Sequence, residues 1–375
     1  MDVFYKSGRT IEKTIRRGLC FLVILTLLFI SACGGLNLNS PADSKSSSMP
    51  TTDVSPVPEN SASSLPSVST PGATGGDFIL PPSSSSPVST PYKPSGELAE
   101  LFEYMLNLIN TDRNNAGLEP VELGFNGAAQ QHAQDMFDHY YLSHWDTKGL
   151  KPYMRYTIFG GYNYEQENSA YSGWYNMADN PDRYVSIDPK EELANLEWSM
   201  MNDDGASNWG HRDNILNPWH KKVNLGIAYD SKRLALVQQF EGDYIEFSQP
   251  PVISGGQLFL SGRYYLGKIN NISVSFDKSP VTLTPAELLA GPHSYGPGDR
   301  LGYIIPPPPP GQYYVNLPEN AVQARKWVEG ADSRFNIQAD IGSFLERGKG
   351  VYTFYVVVKV GNEPLNLTNY SVFIE

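Results

Sequence analysis

Cysteine is almost missing from this chain, which has only Cys20 and Cys33 among its 375 residues. Cys20 lies inside an apolar N-terminal run, so a processed form would keep no thiol pair, and a fold outside the cytoplasm would rest on core packing without disulfides. Basic clusters are missing beyond the extreme N-terminus. With 28 Lys and Arg against 40 Asp and Glu, and a net charge of −12, the chain lacks the concentrated positive surface that a phosphate backbone demands, which argues against a nucleic-acid partner. Acidity alone bears on solubility and names no ligand. No G-x-S-x-G motif surrounds Ser143, Ser199 or Ser207, so a serine nucleophile is disfavoured. No internal repeat points to a solenoid. What is abundant is aromatic: 23 Tyr, 16 Phe and 6 Trp within a 40% hydrophobic composition, enough for real cores. The length leaves room for two domains and some unstructured sequence.

At the N-terminus, Lys6, Arg9, Lys13, Arg16 and Arg17 precede "GLCFLVILTLLFI". That run is shorter than the roughly 20 residues of a bilayer-spanning helix. A basic region, a short apolar region and small residues have the layout of a secretory signal. The segment closes on "ISAC", which resembles the lipobox of bacterial lipoproteins. By that resemblance residues 1–33 are a lipoprotein-type signal, Cys33 is lipidated, and the remainder is membrane-anchored on the extracytoplasmic side of the cell surface. Residues 34–95 are dominated by Ser, Pro and Thr and cannot offset the entropy of ordering, so they read as a disordered stalk.

Order is expected from residue 96. Leu98, Leu101, Phe102, Met105, Leu108 and Ile109 recur at helical spacing, with Asn115 and Gly117 as a stop. "FNGAAQQHAQDMFDHYYLSH" predicts a second helix, and "DPKEELANLEWSMMND" a third, with Asp188 as N-cap and Pro189 in the first turn. Between them, residues 153 to 184 read as a Tyr- and Gly-rich loop, whose Tyr162, Tyr164, Tyr171, Trp174 and Tyr175 suit either stacking on a ligand or packing the loop. "VNLGIAYD" and "LALVQQFE" predict strands. This is an α+β layered domain over 96–248. "QPPVISGG" then reads as a boundary, and short strands with turn signals over 250–375 predict a small all-β sandwich.

Four segments in order, "LINTDRNNAGLEPVEL", "AAQQHAQDMFDHYYLSH", "QENSAY" and "WGHRDNILNPWHKKVNLGIAY", resemble the CAP superfamily of cysteine-rich secretory proteins, antigen 5 and plant pathogenesis-related proteins, in its bacterial secreted branch. The resemblance covers roughly residues 97 to 245 and implies an α-β-α sandwich with a cleft lined by two histidines and two glutamates. Carried over by position, these are His144, Glu167 and His211. The family has Gly before the first glutamate where this chain has Gln166, and its second glutamate falls on Met201. Glu197, one helical turn earlier, is the substitute, with Asp204 as the other candidate.

Two imidazoles and one or two carboxylates in one cleft can hold a divalent metal such as zinc on His144 and His211, leaving a position for water. The same set can do acid–base work, or it can simply tie down the loops that shape the cleft. Of the other histidines, His132 reads as a packing residue on the same helix as His139, His220 as a half-exposed loop residue, and His293 as partnerless. "NDDGASN" carries oxygen donors without an EF-hand's spacing and reads as a turn. Three functions follow. The leading one is a surface lipoprotein whose cleft binds a lipid or cell-envelope component without turnover. The second is a metal-dependent extracellular hydrolase of peptide or cell-wall material, with Glu167 as base. The third is a structural or adhesion module using the stalk and β-sandwich.

Overall fold

The computed structural model describes residues 91–173, 186–314, 317 and 320–375. Cys33, nearly all of the stalk, Trp174, Tyr175 and residues 315, 316, 318 and 319 lie outside the described residues. The described residues all fall within one compact unit, Leu80–Glu375. Packing starts before residue 96, because the Tyr92 N–H donates to the Phe125 carbonyl and the Tyr92 ring lies 6.3 Å from Phe102.

The first layer set is built as the apolar spacing requires. Helix α1 (Glu97–Asn115) turns Leu101, Phe102, Met105 and Ile109 inward, and the chain leaves it through Gly117 at φ 74°. A two-residue strand β1 (Glu122–Leu123) leads to α2 (Ala128–His139). Next come α3 (Pro152–Ile158) and β2 (Glu165–Ser172), then α4 (Pro189–Asn202), α5 (Gly210–Ile215), β3 (Lys222–Tyr229) and β4 (Leu234–Glu241). Helix α4 starts where capping chemistry puts it: the Asp188 carboxylate accepts from the Lys190 and Glu191 N–H groups. The four strands order β1-β3-β4-β2, leaving β2 at one side. Alternate residues of β3 and β4 serve opposite layers. Val223, Leu225, Ile227, Leu234, Leu236 and Phe240 pack with α1, α4 and α5, whereas Ala228, Ala235 and Val237 pack with α2. Gly226 sets the distance on the second face, since a Cβ there would overlap the Ala129 carbonyl of α2.

The expected loop over residues 153 to 184 is a correction. It contains α3 and β2, and both are hidden from pattern reading for the same reason. Pro152 through Thr157 are all buried, so α3 shows no polar stripe, and the inward positions of β2 are polar: Glu165, Glu167 and Ser169.

The second region adds β5 (Ile245–Ser254), β6 (Gln257–Tyr264), β7 (Lys268–Asp277), α6 (Pro285–Ala290), β8 (Asp299–Ile305), β9 (Ala321–Gln323), β10 (Lys326–Glu329), β11 (Arg334–Asp340), α7 (Gly342–Leu345), β12 (Gly350–Val360), β13 (Glu363–Asn366) and β14 (Tyr370–Ile374). Sheet β10-β11-β6-β5 faces sheet β13-β12-β7-β8-β9, with β14 also paired to β12. One core joins them, including Leu258, Leu260, Ile337, Ile272, Val274, Phe354 and Val356. The expected boundary at "QPPV" falls inside β5, which runs through Pro250 and Pro251 with two shifts of register against β6. Proline lacks the ladder donor and is tolerated there because β5 is an outer strand.

The run "VYTFYVVVKV" is continuously apolar because β12 is covered on both faces. Tyr352, Phe354, Val356 and Val358 enter the sandwich core, while Val351 packs with Leu150, Tyr153 and Met154 beside α3. Leu288 of α6 joins the core beneath α2. The two regions therefore share apolar cover. A chain cut after residue 249 is expected to lose its cooperative urea transition and to bind a hydrophobic dye, because Leu150, Tyr153, Met154 and the α2 face lose that cover. A sharp transition without dye binding would show that the first sheet stands alone.

Candidate functional site

His144 sits in the loop that follows α2, and buried polar contacts hold that loop. The His132 Nε2–H donates to the Ser143 carbonyl at 2.9 Å, and one Asp146 oxygen accepts from the Lys148 and Leu150 N–H groups. Arg155 of α3 ties the loop to the sheet. Its guanidinium donates to the carbonyls of His144 (2.9 Å) and Leu150 (2.6 Å) and to Glu167 Oε2 (2.8 Å). The other oxygen of Glu167 lies 3.0 Å from His144 Nδ1 and 3.8 Å from His132 Nε2. The structure thus brings His144 and Glu167 together and adds Arg155, a partner with no motif to announce it.

Burial would push the Glu167 carboxyl up, but the Arg155 charge, with help from His132 and His144, brings it down to about 2. His132 goes to about 3, through desolvation first and the Arg155 charge second, and is neutral near neutral pH. With Glu167 ionised, His144 carries its proton on Nδ1 in the neutral form. Its Nε2 has no hydrogen-bond partner among the described residues and is not sealed from solvent.

His211 has a different carboxylate. Asp204 Oδ1 lies 2.6 Å from His211 Nδ1, while Asp204 Oδ2 accepts the N–H groups of His211 and Arg212. Asp204, the alternative candidate, is therefore the carboxylate at the second histidine. Both its oxygens hold His211 and the start of α5, and among the described residues "NDDGASN" belongs to no group of three or more carboxylate or histidine ligands. That segment forms a tight turn with Asn208 and Trp209 at positive φ. A side chain as bulky as Trp at positive φ is rare, and here it lets Asp204 reach back over the start of α5.

Glu197 does not join either pair. It accepts from Gln238 Nε2 at 2.6 Å. Gln238 shares the face of β4 that carries Leu236 and Phe240, opposite the face reached by Glu167. From Gln238 a chain of amides continues through Asn168 and Asn214 to His220. His220 is another correction: it is 2% exposed, stacked 5.3 Å from Phe240 and lowered by burial to about 3. Adjacent residues of β2 thus serve both histidines from opposite faces, Glu167 holding the His144 ring and Asn168 donating to the His211 carbonyl at 3.1 Å. Of the loop aromatics, Tyr162 packs edge-on against Phe247, and Tyr171 packs under α2 near Arg233, so both serve packing. His139 and His293 are exposed, and His139 Nδ1 lies 3.0 Å from the Asp135 carbonyl oxygen of its own helix.

Among the described residues no three His, Cys, Asp or Glu side chains are grouped to hold a metal ion. Both Glu167 oxygens and both Nδ1 atoms are committed to the contacts above, which leaves the Nε2 atoms of His144 and His211 as the ring donors that could face a metal or ligand.

An α-β-α sandwich whose outer strand presents Glu167 to a loop histidine, with a second histidine at the start of a short helix, defines a CAP domain. Residues 106–240 match the model of the cysteine-rich secretory protein family, CAP, so this part of the chain carries a CAP domain. Among solved structures, an outer surface protein from Borrelia burgdorferi is 15% identical with a TM-score of 0.30, the match covering 41% of this chain and 98% of that one. The CAP domain of enterococcal PrgA is 15% identical with a TM-score of 0.25, covering 37% of this chain and 59% of that one. No curated protein matches the chain.

The shifted groups give stability a definite pH profile. Glu167, His132 and His220 lie below their ordinary values, so their contribution is full above about pH 6.5 and is lost as pH falls toward 2–3. Glu197 is raised by burial to about 8, so its contribution is full below about pH 4.5 and is lost as pH rises through 8. Glu197→Gln keeps an acceptor for Gln238 and removes the titration. In urea unfolding it is expected to be more stable than the parent at pH 9, by on the order of 2–4 kcal/mol, and nearly equal at pH 5. Parallel pH profiles for the two proteins would contradict a buried neutral Glu197.

Proposed function

We propose that this is an extracytoplasmic, membrane-anchored CAP-domain protein that binds a lipid or cell-envelope component beside His144 and His211 without chemical turnover. The observation that supports binding over hydrolysis is the state of Glu167. A general base works best with a pKa near the operating pH. Glu167 is held near 2, with one oxygen on Arg155 and the other on His144. It fixes an imidazole and is poorly placed to take a proton from water. The Asp204–His211 pair likewise orients a ring whose side chain is 23% exposed, and no serine or cysteine in the described contacts lies against it. Two oriented imidazoles can give or accept hydrogen bonds at a ligand's polar group, which is what a binding site requires.

The experiment is co-sedimentation of the purified protein with isolated cell-wall material and with vesicles of extracted cell lipid, followed by mass spectrometry of the supernatant. The parent is expected to sediment with one of them, and His144→Ala/His211→Ala to do so at least about tenfold more weakly, with no released fragments in either case. Release of peptide or glycan fragments by the parent and not by the double variant would establish the hydrolase reading.

Anchoring rests on "ISAC" and the basic, apolar layout before it. Among the described residues no helix is long and apolar enough to cross a membrane, and the lipobox resemblance supports attachment through a lipid on Cys33. Cys33→Ser is expected to move the protein from the detergent phase to the aqueous phase on partitioning and to abolish the added acyl mass at the mature N-terminus. Unchanged partitioning would assign the anchor to the apolar run itself.

A further inference from the structure

The connection between β7 and β8, residues 278 to 298, crosses from the second region onto the His144 loop and is fastened along its length. The Leu283 N–H donates to the Thr147 carbonyl at 2.9 Å. Leu288 is buried with Ala129, Ala133 and Met136. Lys151 Nζ reaches Asp277 Oδ1 at 2.7 Å and the Gly296 carbonyl at 3.1 Å, and the Tyr153 hydroxyl donates to Asp277 Oδ2 at 2.7 Å. So held, the connection delivers Tyr295. Its ring centroid lies 4.7 Å from that of His144 at an interplanar angle of 57°, and its hydroxyl oxygen accepts the Glu167 N–H at 2.8 Å.

The second contact matters because β2 is an outer strand. The N–H groups of Glu165 and Glu167 do not belong to the β4 ladder, and two side chains of the second region take them: Asn369 at Glu165 (3.3 Å) and Tyr295 at Glu167. The phenol therefore fixes the backbone of the residue whose carboxylate orients His144, while its ring covers the imidazole. We infer that Tyr295 is a positioning residue of the His144–Glu167 site and one wall of the space a ligand must enter, so that this CAP site is completed by the β-sandwich region. The inference rests on the binding reading above only in calling that space a ligand site; the positioning itself is testable without any ligand. A ligand approaching His144 meets an aromatic face, and the hydroxyl keeps its proton for an acceptor after accepting from Glu167.

The test uses the full chain with labelled histidine and amide nitrogens, in Tyr295→Phe and Tyr295→Leu. Tyr295→Phe keeps the ring and loses the acceptor. Its Glu167 amide is expected to exchange with solvent about tenfold faster, while amides of β3 and β4 are unchanged and the His144 ring nitrogens keep the Nδ1–H tautomer. Tyr295→Leu loses the ring, admits water to the His144–Glu167 hydrogen bond, and is expected to shift the ring nitrogens toward a tautomer mixture. A merely packing role predicts lowered melting temperature with neither signature. Unchanged Glu167 exchange in Tyr295→Phe, or unchanged His144 nitrogens in folded Tyr295→Leu, overturns the inference, and if the Leu variant does not fold the Phe result decides. Should both signatures appear while the parent sediments with neither cell wall nor lipid, the binding reading fails and the positioning role stands. Sedimentation that depends on His144, with neither signature, gives the reverse.

Discussion

The Arg155–Glu167 ion pair is the constraint around which this molecule is arranged. Two opposite charges with side chains at most 1% exposed survive out of water only if nearly every donor and acceptor is used. Arg155 Nη1 also donates to the carbonyls of His144 and Leu150, and Glu167 accepts from the His144 ring, while Arg155 Nε is buried without a hydrogen-bond partner. One pair thereby joins a helix, a loop and an outer strand. It also dictates what surrounds it. A helix carrying a buried arginine must be enclosed, and the enclosure of α3 comes from β12, β14 and the connection ahead of β8. The second region is in this sense a consequence of the charge chemistry in the first.

How much of this could be read from the chain depends on where the polar groups are. Helices α1, α2 and α4 keep an apolar stripe, and α4 announces its start with Asp188 and Pro189, so these are legible. Strands β3 and β4 are legible as apolar runs. Helix α3 and strand β2 are not, because the residues they bury are the site itself: Arg155, Glu165 and Glu167. Positional likeness to a family locates His144, Glu167 and His211, but it cannot say which carboxylate serves which ring. Glu197 and Asp204 are seven residues apart in sequence and lie in wholly different surroundings, a distinction set by the alternation of β4 and by two left-handed residues ahead of α5. Nothing local marks Tyr295, whose importance arises from a connection more than a hundred residues beyond the strand it touches.

The polar interior on the two faces of the sheet is not uniform. On the face toward α2 and α3 the Arg155 charge favours the ionised form of Glu167, while burial pushes the Glu165 and Glu241 carboxyls up. Between the sheet and α4, Glu197 has only amides for company, with Asp112 the charge that bears on it, and its neutral form is favoured. Strand β2 touches both, since Asn168 begins the amide chain one residue after Glu167. Both histidines are thus tied to one strand, His144 through the Glu167 carboxylate and His211 through the Asn168 amide.

The paired prolines of β5 have a consequence beyond their own strand. An outer strand ordinarily offers a row of free backbone groups on which a neighbouring molecule can crystallise a new strand. Pro250 and Pro251 have no N–H to offer, and the double offset against β6 spoils the straightness of that edge. A neighbouring molecule would find a broken template there, so this edge is poorly suited to extending the sheet from one copy to the next.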